Sequence, residues 1–89
     1  MSLHRLTLSP AFFLTLRGVD ASVRARAYDV AVALADAHPV LPGAGDFPVR
    51  VEPVGMFWAR PVPGTIWSVL YTVGTDTVFV RSANVLTRP

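Results

Sequence analysis

No cysteine and no lysine occur among the 89 residues, and each absence removes a class of chemistry. Without thiols there is neither a disulfide framework nor a thiolate metal site, and a reducing cytoplasm leaves the fold unharmed. Without lysine, every basic side chain is an arginine, which stays protonated and is no proton acceptor. The two histidines, His4 and His38, lie far apart in the chain and are too few to hold zinc. No metal and no cofactor is expected. Long apolar runs are missing as well: the longest uncharged stretch, Pro61 to Thr75, contains two prolines and two glycines and falls short of the roughly 20 residues that cross a bilayer. The stretch HRLTLSPAFFLTLRGVDA imitates a secretory leader, but Ser9-Pro10 and Arg17 interrupt it. The reading is a cytoplasmic protein with no membrane partner. Nucleotide-cradling glycine loops and Ser-His-Asp patterns are absent too, which argues against a metabolic enzyme.

What is present is apolar material: 52% of residues are hydrophobic and 16% charged. A chain of this length forms one small core, so residues 1–89 are read as a single domain. So much apolar surface in so small a domain points to a partner. Eight arginines face six acids for a formal charge of +2, too mild to establish nucleic-acid binding on its own.

Leu3 to Leu8 alternates apolar and polar and predicts a short strand. Ser9-Pro10 then opens a helix, serine as cap and proline at the first helical position, where a missing amide costs no bond. This helix spans Ala11 to Arg17 and stops at Gly18. Asp20 caps a second helix whose Val23, Ala27, Val30 and Leu34 recur at steps of three and four, closed by His38-Pro39. Tyr28, Val32 and Ala35 lie on its other side, either against the first helix or as a stripe for a partner. Residues 39–48, PVLPGAGDFP, hold three prolines and two glycines and form a loop.

The remainder reads as sheet: Val49 to Val54, Met56 to Arg60, Thr65 to Val73 and Thr77 to Ala83, rich in β-branched and aromatic residues. Thr65 to Val73 is apolar on both faces and should be central. The expectation is an α+β fold with an N-terminal strand, a two-helix hairpin and a three- to four-stranded antiparallel sheet, the helices packed on one face. The other face is left uncovered, and function is sought there.

In this order the chain resembles the RelE/ParE superfamily of bacterial toxins, including its HigB-like members. LSPAFFLTLRGVDASVRARAYDVAVALADAHP is similar to that family's helical hairpin. MFWARPVPGTIWSVLYTV is similar to its paired strands, an aromatic-X-X-Arg strand end followed by a strand ending in an apolar-apolar-Tyr triplet. DTVFVRSANVLTRP is similar to its last strand and basic tail. The resemblance implies a toxin held inactive by a cognate antitoxin, acting by ribosome-dependent cleavage of mRNA. The alternatives are a non-enzymatic inhibitor of DNA gyrase or a non-toxic interaction domain of the same fold. A homodimer is left open. By position, Arg60 matches the arginine of the aromatic strand, Tyr71 the strand tyrosine and Arg88 a basic tail residue, while Arg81 matches in general location. Trp67-Ser68 stands where many family nucleases carry an arginine.

RNA cleavage through the 2′-hydroxyl needs a base, an acid and cations against the phosphate. Arg60, Arg81, Tyr71 and Glu52 are the candidate catalytic residues, and Arg50, Arg60, Arg81 and Arg88 the candidate nucleic-acid contacts; His4 and His38 are further proton carriers. The functional reading requires guanidinium groups from separate strands to converge on the uncovered face. The ordinary reading of each is an arginine lying over the sheet or paired with an acid such as Glu52, and for Trp58, Trp67 and Tyr71 it is core packing rather than base stacking.

Overall fold

The Ser9-Pro10 entrance behaves as its chemistry dictates. In the computed structural model, which describes residues 5–37 and 41–86, Ser9 accepts from the Ala11 amide at 3.3 Å and starts α1, Pro10–Thr15. Gly18, at φ 80°, takes the left-handed turn that a side chain would resist. Asp20 then accepts from the Ser22 amide at 3.0 Å and opens α2, Ala21–Ala37. Ala27, Ala31, Leu34 and Ala35 are buried along α2, a stripe of mostly small side chains that lets the helix lie close to the sheet. Tyr28 packs its ring on Phe12 and Phe13 of α1, while Val32 stays exposed.

Before the helices comes β1, Arg5–Leu8; after them come β2 (Phe47–Val51), β3 (Gly55–Pro61), β4 (Trp67–Val73) and β5 (Thr77–Val85). The sheet order is β1-β5-β4-β3-β2, with β2 to β5 antiparallel and β1 parallel to β5. The α+β expectation holds, and β4 is the middle strand. Several boundaries move. β2 takes the last two residues of the expected loop, with Phe47 opposite Ala59 and Pro48 opposite Trp58; proline is tolerated because this is an edge strand. β4 starts at Trp67 because the Thr65 hydroxyl bonds both Val62 O and the Trp67 amide, holding Thr65-Ile66 in a turn and leaving Ile66 exposed. His4, His38 and Arg88 lie outside the described residues.

Strand alternation sorts the apolar residues into two clusters. The helix side holds Phe12, Leu16, Ala27, Ala31, Leu34, Val62, Val69, Tyr71, Val78, Val80 and Ala83, with Trp58 and Trp67 packed against them. Both tryptophans therefore belong to the core. The opposite side carries a second cluster, Phe47, Phe57, Ala59 and Leu70, flanked by Val49, Val51 and Leu86. The face expected to be bare is thus filled with hydrocarbon across β2, β3 and part of β4, because those strands are apolar on both sides.

The pairing of β4 with β5 shifts register between Leu70 and Tyr71: Tyr71 faces Val80 but Leu70 faces Ser82. Arg81 is the extra residue of this bulge. The bulge keeps Val78, Val80 and Ala83 all in the helix-side core while re-aiming the chain between them. The Thr15 hydroxyl of α1 accepts from the Ala83 amide at 3.1 Å, fastening β5 to the helix just past the irregularity. Thr15→Val, which keeps the shape and removes that acceptor, should lower the unfolding free energy by about 1–2 kcal/mol, read from urea denaturation. No measurable loss would show that the amide finds another partner.

Candidate functional site

Arg60 ends the aromatic run of β3 on the helix side, alternating with Phe57 and Ala59, which belong to the opposite cluster. Its guanidinium is not directed to solvent. Nε and Nη2 donate to the two carboxylate oxygens of Asp46 at 2.8 and 3.0 Å, a bidentate geometry that suits the planar fork. The Tyr71 hydroxyl also donates to Asp46 Oδ2, and the Gly43 amide donates to the same oxygen at 2.9 Å. A Cβ at Gly43 would run into Arg60 Nη2, so glycine is what lets the loop come this close. The Asp46 side chain is 1% exposed and that of Arg60 22%.

Burial alone would raise the Asp46 pKa, but the hydrogen bonds from Arg60, Tyr71 and Gly43 outweigh it and hold the carboxyl below its usual value. Arg60 is shifted up, chiefly by its bond to Asp46. Tyr71 is pushed up too, first by burial and then by the bond to Asp46, so its phenol keeps its proton at neutral pH. This arrangement holds charge in fixed positions.

Arg81 stands on the other side of the sheet. Its Cζ lies 5.0 Å from the centroid of the Phe79 ring and 5.9 Å from that of Phe57, and Nε donates to Thr72 Oγ1 at 3.0 Å. The residue is exposed. Ser82 follows it, its hydroxyl donating to Asn84 Oδ1 at 2.7 Å. Arg50 and Glu52 pair with each other at 3.3 Å at the outer edge of the sheet, both more than 70% exposed.

No protein-family model matches the sequence, and no curated protein matches it. Solved structures do. An archaeal RelE-RelB complex from Pyrococcus horikoshii superposes with a TM-score of 0.66 at 9% identity, over 91% of this chain and 92% of that one. The YoeB dimer from Staphylococcus aureus gives 0.58 at 18% identity over 90% and 93%. The intact E. coli RelBE toxin-antitoxin complex gives 0.51 at 15% identity over 96% and 99%. The chain has the fold of the RelE superfamily.

In this chain the three candidate arginines within the described residues do not meet. Arg60 is on the helix side, bound by Asp46. Arg81 is on the opposite face over two phenylalanines. Arg50 projects from the edge strand beside Glu52, and Arg88 lies outside the described residues. The pairing considered for Arg60 is real, but its acid is Asp46 and not Glu52. Among the described residues no three His, Asp or Glu side chains gather as metal ligands. Sequence reasoning passed over Asp46 and Gly43, treating PGAGDFP as connecting loop. The available signal was that Asp46 is the one acid in that loop, while Arg60 on β3 has no acid in the stretch Pro53 to Trp67 around it.

Removing the carboxylate with Asp46→Ala leaves a half-buried guanidinium and a buried hydroxyl without their acceptor, and should cost about 3 kcal/mol in urea unfolding at neutral pH. Because the folded pKa of Asp46 lies below its unfolded value near 4, its contribution is complete above about pH 4 and disappears as pH falls through the folded value. Asp46→Asn should therefore flatten the loss of stability below about pH 4. Parallel stability profiles for the two proteins would refute that assignment.

Proposed function

We propose that this protein is the toxin of a toxin-antitoxin module, and that it acts on translation through RNA bound on the sheet face opposite the helices. The fold shared with RelE and YoeB over nine tenths of each chain is the observation that supports the toxin reading. The described arginines do not converge on that face, so the support for RNA rests on Arg81 alone, an exposed cation on a semi-apolar strand face with polar Thr72, Ser82 and Asn84 beside it, the mixture that backbone phosphates and bases both use.

In this reading Arg81 meets the phosphate charge, Arg50 adds to the field at the sheet edge, and Glu52, the exposed carboxylate there, is the remaining candidate proton carrier. Arg60 and Tyr71 serve the fold that holds them in place. A cognate antitoxin would hold the protein inactive. The second reading is a non-enzymatic inhibitor of gyrase, favoured by one observation: Arg60 and Tyr71, half of the candidate catalytic set, are occupied by Asp46.

Tightly controlled expression in bacteria distinguishes these. The expected result is growth arrest with cleaved message in ribosome-containing extracts, reduced about 100-fold by Arg81→Ala, a substitution that should leave thermal stability nearly unchanged because the residue is on the surface. Growth arrest with intact message and a DNA-damage response would transfer the assignment to gyrase. Unimpaired growth would overturn the toxin reading.

A further inference from the structure

The contacts of Arg81 come from three strands at once. Phe57 belongs to β3, Thr72 to β4 and Phe79 to β5. A guanidinium hydrogen-bonded through Nε, with its Cζ within 6 Å of the centroids of two aromatic rings, loses much of the freedom that a surface arginine normally has. It is oriented before anything binds. Phe57 is buried in the second cluster, so the support under the cation is a rigid part of the sheet. The bulge contributes as well: Arg81 is the extra residue of β5, and Ser82, opposite Leu70, follows it on the same face.

No acid competes for it. Among the described carboxylates outside the helices, Asp20 accepts from the Ser22 amide at the start of α2, Asp46 is bonded to Arg60, Glu52 is paired with Arg50, and Asp76 accepts from the Thr77 hydroxyl in the β4–β5 turn. Arg81 is nevertheless exposed, which leaves part of its planar surface open to solvent. A guanidinium layered on an aromatic ring offers a flat, cationic surface, and flat π-systems stack on such planes. Lysine, a point charge on a flexible stem, offers none.

We propose that Arg81, backed by Phe79 and Phe57, is a stacking platform for one nucleobase of a single-stranded RNA, and that the plane of its guanidinium recognises the base in addition to the charge meeting phosphate. A purine, with the larger face, is the preferred occupant. The inference rests on the RNA-binding reading above and specifies what that site holds.

The test is a fluorescence titration of the purified protein at low salt with a short oligoribonucleotide carrying 2-aminopurine at its centre, beside the same chain with an abasic residue and a remote dye. Wild type should quench the 2-aminopurine and bind the base-bearing chain about 10-fold more tightly than the abasic one, in the range of a single stacked base. Arg81→Lys should bring the two affinities together. Phe79→Leu, which keeps the charge and removes the ring beneath it, should narrow the difference too, and carries the test if Arg81→Lys disturbs the circular dichroism spectrum. Equal affinities for the two chains in wild type, or a preference that survives Arg81→Lys, would overturn the platform while the RNA-binding reading stands. Binding of neither chain would overturn both.

Discussion

One carboxylate organises the half of the sheet that the helices do not reach. Asp46 accepts from Arg60 on β3, Tyr71 on β4 and Gly43 in its own loop, and it immediately precedes β2. The topology makes such an anchor necessary. α2 packs over β4, β5 and β1, whereas the next strand in sequence lies at the far edge of the sheet. The chain must therefore cross the sheet between α2 and β2, through a segment too rich in proline and glycine to hold itself by regular hydrogen bonds. A buried ion pair is a weak source of net stability but a strong source of uniqueness, since any other path of the loop leaves an uncompensated charge. With four donors satisfying Asp46, the crossing is fixed and Phe47 enters β2 opposite Ala59.

The sheet that results has two unlike surfaces. Its helix side is ordinary core. Its other side changes character from β2 to β5: aromatic and aliphatic packing around Phe47, Phe57 and Leu70 gives way to Thr72, Arg81, Ser82 and Asn84. The bulge at Arg81 marks the transition. Without it, Ala83 would leave the core and the polar residues of β5 would alternate between the faces. One extra residue thus lets a strand satisfy the core at Val78, Val80 and Ala83 and still turn consecutive polar side chains outward.

How much of this is visible in the sequence follows from the range of the forces involved. Local chemistry was legible: the Ser9-Pro10 entrance, the Asp20 cap, Ala27 and Leu34 on the inward face of α2 and most of the strand content between Val49 and Ala83 are written within a few residues of where they act, whereas the burial of Ala35, expected on the other side of α2, was not. So was the middle position of β4, because Val69, Leu70 and Tyr71 are apolar in succession and need cover on both sides. The site was less legible. Arg60 finds its acid fourteen positions away, across a loop whose path no periodicity reports. The two faces of β3 and β4 were equally apolar in the sequence, so nothing indicated which face Arg60 would take. The bulge left one trace: the inward apolar residues of VFVRSANV slip by one place after Arg81, which simple alternation does not allow.

The parallel strand at the edge has a consequence for how such a protein comes into being. Arg5 lies opposite Thr77 and Leu8 opposite Val80, so the earliest described segment to leave the ribosome pairs with nearly the last. Phe12 of the first helix and Leu16 at its end likewise seal against β5. Until that final ribbon emerges, the helical hairpin has no floor, and contacts so distant along the chain form late and slowly. A nascent copy is consequently an open, sticky intermediate. The finished surface on which Arg81 stands, built from strands three, four and five, exists only once the last of these strands has been made and paired.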